Sequence, residues 1–262
     1  MRYFFWNVRG KKVNYLLEKL IVSKKYDIVI LCEYYDDINE LIDELAEKNI
    51  NMLNVTTPGC ERITILSNRK CKTGFSDSHF TIKLFKMSQN DIKIVVSLHL
   101  QSQMYNSDST RRAELETIRV KVEELEEKYN TNKSIIVGDF NANPFDNCMI
   151  DATGMHAISS REVVNKIERT ISGKSYKMFY NPMWNKFGDF DKPSGTYFYR
   201  KADMNILFWN IFDQVVIRPQ LIDKFRNEEL NIVTKIDDIE LLKNDRIQIS
   251  DHLPIEFLIE ED

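Results

Sequence analysis

Six short runs of β-branched and aromatic residues in this chain each stop at an amide, a carboxylate or an imidazole. Tyr3-Phe4-Phe5-Trp6 runs into Asn7, Ile28 through Cys32 into Glu33, and Ile94 through Leu98 into His99. Ser134 through Val137 leads to Gly138-Asp139-Phe140-Asn141-Ala142-Asn143-Pro144. Asn210-Ile211-Phe212 reaches Asp213, and Arg246 through Ile249 reaches Ser250-Asp251-His252. A buried strand has no internal use for a carboxylate, because burying an unpaired charge costs several kcal/mol or more. A strand that ends in one is delivering it to a site, and in α/β proteins that site lies in the crevice at the strand ends. A lone Asp or Asn there is ordinarily a turn residue or a helix cap. Six with complementary chemistry point to one constellation: carboxylates for a divalent cation, amides for orientation, imidazoles for a phosphate or a proton.

The rest of the chain is consistent with a rigid scaffold for such a site. Its 262 residues can bury a large core, and one domain over 1–262 is more natural than two small ones. Apolar residues at 43% and charged residues at 29% exclude disordered and membrane classes. No apolar stretch approaches the ~20 residues needed to span a bilayer, and the first strand begins too early to leave room for a signal peptide. The cysteines Cys32, Cys60, Cys71 and Cys148 form no C-x-x-C pair. They read as structural thiols of a reducing, cytoplasmic compartment.

Apolar spacing predicts helices through Val13–Ile21, Ile38–Leu45 and Leu115–Tyr129. Asp36 or Asp37 serves as a cap for the second, and Ser109 or Thr110 starts the third. A shorter helix is expected over Ser160–Arg169 and another from Pro219 through Phe225. The acidic residues Glu123, Glu124, Glu126 and Glu127 read as a solvated face. Strands at Met52–Val55, Ile63–Ser67, Thr81–Lys86 and Lys93–Leu98 follow one another without helices, which implies antiparallel pairing. The fold class expected is α/β (α+β), with two mixed β-sheets packed face to face and helices outside. Residues 172–209 are rich in aromatics interleaved with Gly, Pro, Asn and Asp, and read either as a substrate wall or as anchors of an irregular loop. The net charge of −4 means that any basic footprint is local. Arg9–Lys12, Arg69–Lys72, Arg111-Arg112 and Arg200-Lys201 are the candidates.

The ordered set Trp6-Asn7, Cys32-Glu33, Leu98-His99, Gly138-Asp139-Phe140-Asn141, Phe212-Asp213 and Ser250-Asp251-His252 resembles the endonuclease/exonuclease/phosphatase superfamily, and it spans residues 6–252. The resemblance implies a four-layer α/β/β/α sandwich and divalent-metal-dependent cleavage of a phosphoester. It leaves the substrate open, because one phosphate-handling centre serves unrelated molecules. Glu33 is followed by Tyr34-Tyr35-Asp36 and not by the E-x-K sequence of abasic-site enzymes.

Within that resemblance, Glu33, Asn7 and Asp251 are the expected ligands of Mg²⁺ or Mn²⁺, a hard cation that prefers oxygen. Asp139 is expected to orient and deprotonate water, with Asn141 beside it if the chain stays extended. His252, held by Asp213, is expected to meet the scissile phosphate, and His99 a second phosphate oxygen. Arg111, Trp184 and Tyr197 are the expected substrate contacts. The leading expectation is a phosphodiesterase that cleaves nucleic acid, DNA above all, with no membrane partner and with its oligomeric state open. The alternatives are an enzyme acting on inositol phosphates or lipid headgroups, and a non-catalytic nucleic-acid-binding module.

Overall fold

Side chains alternate between two faces along a β-strand, so a strand buried on both sides reads as a continuous apolar run. In the computed structural model, which describes residues 1–88, 91–102, 108–190, 193–201 and 206–261, this alternation sorts the runs into layers. Strand β1 (Arg2–Asn7) is followed by helix α1 (Asn14–Lys24), β2 (Ile28–Cys32) and helix α2 (Ile38–Glu47). Then come β3 (Leu53–Val55), β4 (Ile63–Ser67), β5 (Cys71–Ser76), β6 (Phe80–Lys86) and β7 (Ile92–His99). Helix α3 (Asp108–Tyr129) and β8 (Ser134–Asp139) complete the first half.

One sheet has six strands, in the order Phe225–Ile232, Ile255–Ile259, β1, β2, β4, β3. The other has seven, in the order β5, β6, β7, β8, Asp213–Ile217, Phe179–Tyr180, Ala157–Ile158. Both are mixed: β1 with β2 and β7 with β8 are parallel, and β3 through β6 join by antiparallel pairing. Tyr3, Phe5, Ile28 and Ile30 of the first sheet share a buried core with Val95, Ile135, Val137 and Val215 of the second. The alternate residues Phe4, Trp6, Val29 and Leu31 face Leu16, Leu17, Leu20 and Leu41 of α1 and α2. Val96, Ile136 and Val216 face Leu115, Ile118 and Val122 of α3. The result is the four-layer α/β/β/α sandwich. Among the described residues no helix is long and apolar enough to cross a membrane. The four cysteines are free.

Asp37 caps α2, accepting from the backbone N–H groups of Asn39 and Glu40. Its neighbour Asp36 accepts from Val13 and Asn14 at the start of α1, so the acidic pair serves two helices. The residues before α3 lie outside the described ones, and the helix begins at Asp108.

Several expectations are corrected. The helix over Ser160–Arg169 is a single turn, Arg161–Val164, with Asn165 as its C-cap; Ile167 follows at φ 70°, and Glu168–Ile171 pairs with Lys174–Lys177 as an exposed hairpin. A β-branched residue is strained in that left-handed region, so the helix cannot continue through it. From Pro219 the chain makes a 3₁₀ helix ending at Lys224. Glu126 is not solvated: it is 2% exposed and binds Arg218 through 2.7 and 3.2 Å contacts. Arg246–Ile247 is a two-residue hairpin arm pairing with Leu242-Lys243, outside both large sheets. The Ser250-Asp251-His252 motif therefore precedes a buried strand, Ile255–Ile259, and does not follow one.

Candidate active site at the strand ends

Register brings the polar termini together. Parallel neighbours end at the same edge of a sheet, so Asn7 lies beside Cys32, which precedes Glu33, and His99 lies beside Asp139. Asp213 opens its strand, contrary to the expectation that a strand would end there. That strand runs antiparallel to β8, so its beginning lies at the same edge, and Asp213 is the register partner of Asp139. Gly138 permits the close approach of β7 and β8: a Cβ there would stand 2.0 Å from the carbonyl oxygen of Leu98.

Side chains then join the two sheets. Asn7 Nδ2 donates to Asp139 Oδ2 at 3.0 Å, and Asn7 Oδ1 accepts from the Arg9 N–H. His99 Nε2 lies 3.4 Å from Glu33 Oε1 and 3.8 Å from Asp139 Oδ2. Glu33 sits at φ 51°, a turn that directs it out of the line of β2. His252 is held from below, since Trp6 Nε1 donates to its carbonyl and Ser250 Oγ accepts its N–H while donating to the Asn7 carbonyl. Its Nδ1 lies 2.9 Å from Asp213 Oδ2, and its Nε2 lies 3.8 Å from Asp139 Oδ2.

Electrostatics distinguish the two imidazoles. Burial acts against charge on His252, but the carboxylates of Asp213 and Asp139 overcome it and hold the ring well above its ordinary pKa. Burial raises Asp213, and the imidazolium of His252 opposes that rise. The pair is accordingly imidazolium and carboxylate at neutral pH. Burial pulls His99 below its ordinary value despite the Asp139 and Glu33 carboxylates, so this ring is neutral.

The cleft over these groups has a volume of about 1130 Å³. Asn7, Glu33, His99, Asp139, Asn141, Asp251 and His252 line it, and Asp213 lies fully buried behind His252. Asn141 does not extend from Asp139 as expected. It turns back at φ 47°, its N–H donates to Asp139 Oδ1, and its Nδ2 donates to the Leu100 carbonyl. Tyr197 lines the cleft, tilted over His252 at 4.7 Å and stacked on Phe212 at 5.2 Å. Trp184 stands one layer back, edge-on to the lining residue Phe145 at 6.1 Å. Arg111 is buried within α3 and is not among the described lining residues. Positions 191–192 and 202–205 of the aromatic segment lie outside the described residues.

Sequence reasoning missed Arg62, Asn143 and Asn210. Arg62 lines the cleft from a loop without helical or strand periodicity, and only its place just ahead of β4 marks it. Asn143 donates to Asn210 Oδ1 and accepts the Ile211 N–H, fixing the segment that leads to Asp213. The second Asn of the sequence after Asp139 was its available signal.

Among the described residues, two groupings are chemically able to hold a metal ion. One atom from each of Asp139, Asp213 and His252 lies within 4.8 Å of the others. That cluster is already closed by the His252–Asp213 hydrogen bond and carries an imidazolium, which repels a cation. Asp251 offers the better fit. Its Oδ2 meets Arg9 at 2.6 Å, while its buried Oδ1 has no partner among the described residues, and Glu33 and Asn7 line the same cleft with oxygen donors. An orphaned carboxylate oxygen among further oxygens suits a hard divalent ion.

A model of the endonuclease/exonuclease/phosphatase family matches residues 70–252, more than half of the chain. No curated protein matches significantly. Truncated TDP2 from Caenorhabditis elegans is similar in structure at TM-score 0.57 and 17% identity, covering 98% of this chain and 97% of that one. The 3′ phosphatase NExo from Neisseria, bound to a product DNA hairpin, is similar at TM-score 0.56 and 14% identity, covering all of both chains. The endonuclease domain of TRAS1, a telomere-specific non-LTR retrotransposon, is similar at TM-score 0.54 and 12% identity, covering 99% and 97%. With the sandwich, the convergent strand ends and the sequence match in agreement, this chain belongs to the endonuclease/exonuclease/phosphatase family, whose members hydrolyse phosphoester bonds.

Proposed function

We propose that this protein is a phosphodiesterase that cleaves DNA, depending on Mg²⁺ or Mn²⁺ held by Glu33, Asn7 and Asp251. The observation that carries the reading is the His252–Asp213 pair set 3.8 Å from Asp139 in one cleft, which puts a fixed positive charge beside a carboxylate that can take a proton. Phosphodiester anions repel nucleophiles, so catalysis rests on positioning and on neutralising developing charge. Asp139, oriented by Asn7 Nδ2, takes the proton of an attacking water. The water oxygen bonds to phosphorus, the bond to the departing oxygen breaks, and that oxygen is protonated from solvent. The His252 imidazolium stabilises charge on the non-bridging oxygens, and Asp213 keeps the ring charged and aimed. Neutral His99 donates to a second phosphate oxygen. Asn141, through its N–H, keeps the Asp139 carboxylate in position. A cation held by Glu33, Asn7 and Asp251 would supply Lewis-acid neutralisation of the phosphate. DNA is favoured by two proteins of similar fold, the 3′ phosphatase NExo bound to a product DNA hairpin and the endonuclease domain of TRAS1.

A second reading, an enzyme on inositol phosphates or other small phosphoesters, draws on the phosphate-handling centre itself, which does not select the molecule that carries the phosphate. The two separate on a substrate panel of plasmid, single-stranded DNA, RNA, inositol phosphates and sphingomyelin, with Mg²⁺ or with EDTA. Metal-dependent scission of DNA is expected. Turnover of an inositol phosphate with DNA left intact would replace the first reading by the second. Binding of DNA without turnover, unchanged in Asp139→Asn, would make the protein a binding module.

A further inference from the structure

The basic runs that could form a nucleic-acid track are largely neutralised by acids of the same chain. Arg9 pairs with Asp251 at 2.6 Å, Lys12 lies 3.8 Å from Asp36, Arg69 2.6 Å from Glu261, and Arg112 3.6 Å from Asp151. Arg111 is buried. Among the described residues lining the cleft, Arg9 being absent, Arg62 is the one lysine or arginine, and it shares the lining with Glu33, Asp139, Asp146 and Asp251. Lys201 stands nearby, its Nζ 5.9 Å from the ring of Tyr199. A protein gripping a duplex by its backbone commonly engages about six to ten phosphates. This cleft has side chains for about two.

What the cleft offers instead is ring surface. Phe145 lines it and is braced from behind by Trp184 at 6.1 Å and Phe187 at 5.3 Å, both near perpendicular. Tyr197 and Tyr199 form a stacked wall at 6.4 Å, and Leu207, 47% exposed, continues it. Aromatic platforms bind bases through their π faces, whatever the sequence. In a duplex those faces are covered by neighbouring base pairs. Away from duplex ends, only an unpaired strand presents them.

We propose that the cleft takes an unpaired nucleotide strand, with a base on Phe145, the adjoining chain along the Tyr197–Tyr199 wall, and a flanking phosphate on Arg62. This rests on the phosphodiesterase reading above and narrows its substrate to single-stranded ends, gaps or loops.

Fluorescence anisotropy of the Asp139→Asn protein with Mg²⁺, titrated with a mixed-sequence single strand and with its blunt duplex between 50 and 200 mM salt, tests it. The single strand is expected to bind at least about tenfold tighter, with a log–log salt slope of about −1.4, two phosphate contacts at −0.7 each. Phe145→Ala is expected to weaken the single strand about tenfold, as loss of one stacked base does, and to bring it level with the duplex. Arg62→Ala, at an exposed position, is expected to flatten the slope by about 0.7. Equal or tighter binding of duplex, or a slope of about −4 or steeper, overturns the proposal. So does hydrolysis of bis(p-nitrophenyl) phosphate with Mg²⁺ but not with EDTA, when neither nucleic acid binds. Failure to hydrolyse any phosphodiester overturns the reading beneath it.

Discussion

Asp139 and Asp213 stand directly opposite each other, the last residue of β8 against the first residue of an antiparallel neighbour. Two carboxylates so placed would repel each other, and His252 intervenes, with Nδ1 on Asp213 and Nε2 facing Asp139. One imidazolium between two acids lowers the cost of burying all three.

Asp213→Asn breaks that balance without changing side-chain size. The ring loses the carboxylate that most stabilises its positive charge, and turnover is expected to fall by about 10²–10³-fold, the magnitude associated with one preorganised charge-stabilising group. Initial rates with saturating substrate check this, alongside a thermal melt showing that the variant remains folded. A rate within threefold of the wild type would remove His252 from its assigned role.

Metal binding has a signature independent of activity. A ligand that binds only the folded state stabilises it, by about 2.7 kcal/mol at a hundred times its dissociation constant. Adding Mg²⁺ or Mn²⁺ to EDTA-treated protein should therefore raise the melting temperature, and Glu33→Gln or Asp251→Asn should abolish most of the rise. An undiminished rise in both variants would place the ion elsewhere.

Far from the cleft, Glu126 is 2% exposed and Arg218 2% exposed, with the guanidinium 3.9 Å from the centre of the Phe179 ring. Ser134 and Lys177 also donate to Glu126. Arg218→Met leaves that carboxylate underpaired and is expected to cost about 3 kcal/mol in urea denaturation. Replacing both partners, Arg218→Met with Glu126→Gln, should cost less than Arg218→Met alone. Additive losses would show that the two do not interact.

His156 makes folding sensitive to acid. Burial depresses its imidazole, against the pull of the Lys177 carbonyl bonded to Nδ1. The folded state thus favours the neutral ring, and its stabilising effect is complete above the unfolded value of about 6.5. Stability is lost as pH falls below that value, because the unfolded chain binds the proton first. The difference in unfolding free energy between wild type and His156→Gln should shrink from pH 7.5 to pH 5. A constant difference would show that His156 does not titrate with folding.

The sandwich was legible because period-two burial writes itself into a strand. Phe4 and Trp6 go one way, Tyr3 and Phe5 the other, and both faces need apolar cover. Motif order was legible too, since a polar residue after a buried run has nowhere to go but the sheet edge. Where expectation failed, the cause was partnering over long sequence separations. Glu126 looked solvated on its helix because Arg218, 92 positions away, is invisible to local pattern. Asn141 was expected along an extended chain, but bonds to Asp139 and Leu100 turn it back.

Strand composition alone therefore dictated two apolar sheets with acids, amides and imidazoles at their margins, because hydrophobic burial depends on residue type and spacing. Register, direction and neutralisation were decided only when the chain closed. Whether Asp213 begins or ends its strand, whether Arg9 is free or held by Asp251, and whether Arg111 or Arg62 reaches the cleft all depend on which distant groups meet. Charge and hydrogen-bond energies fall off over a few ångströms, so three-dimensional proximity governs them and chain order does not.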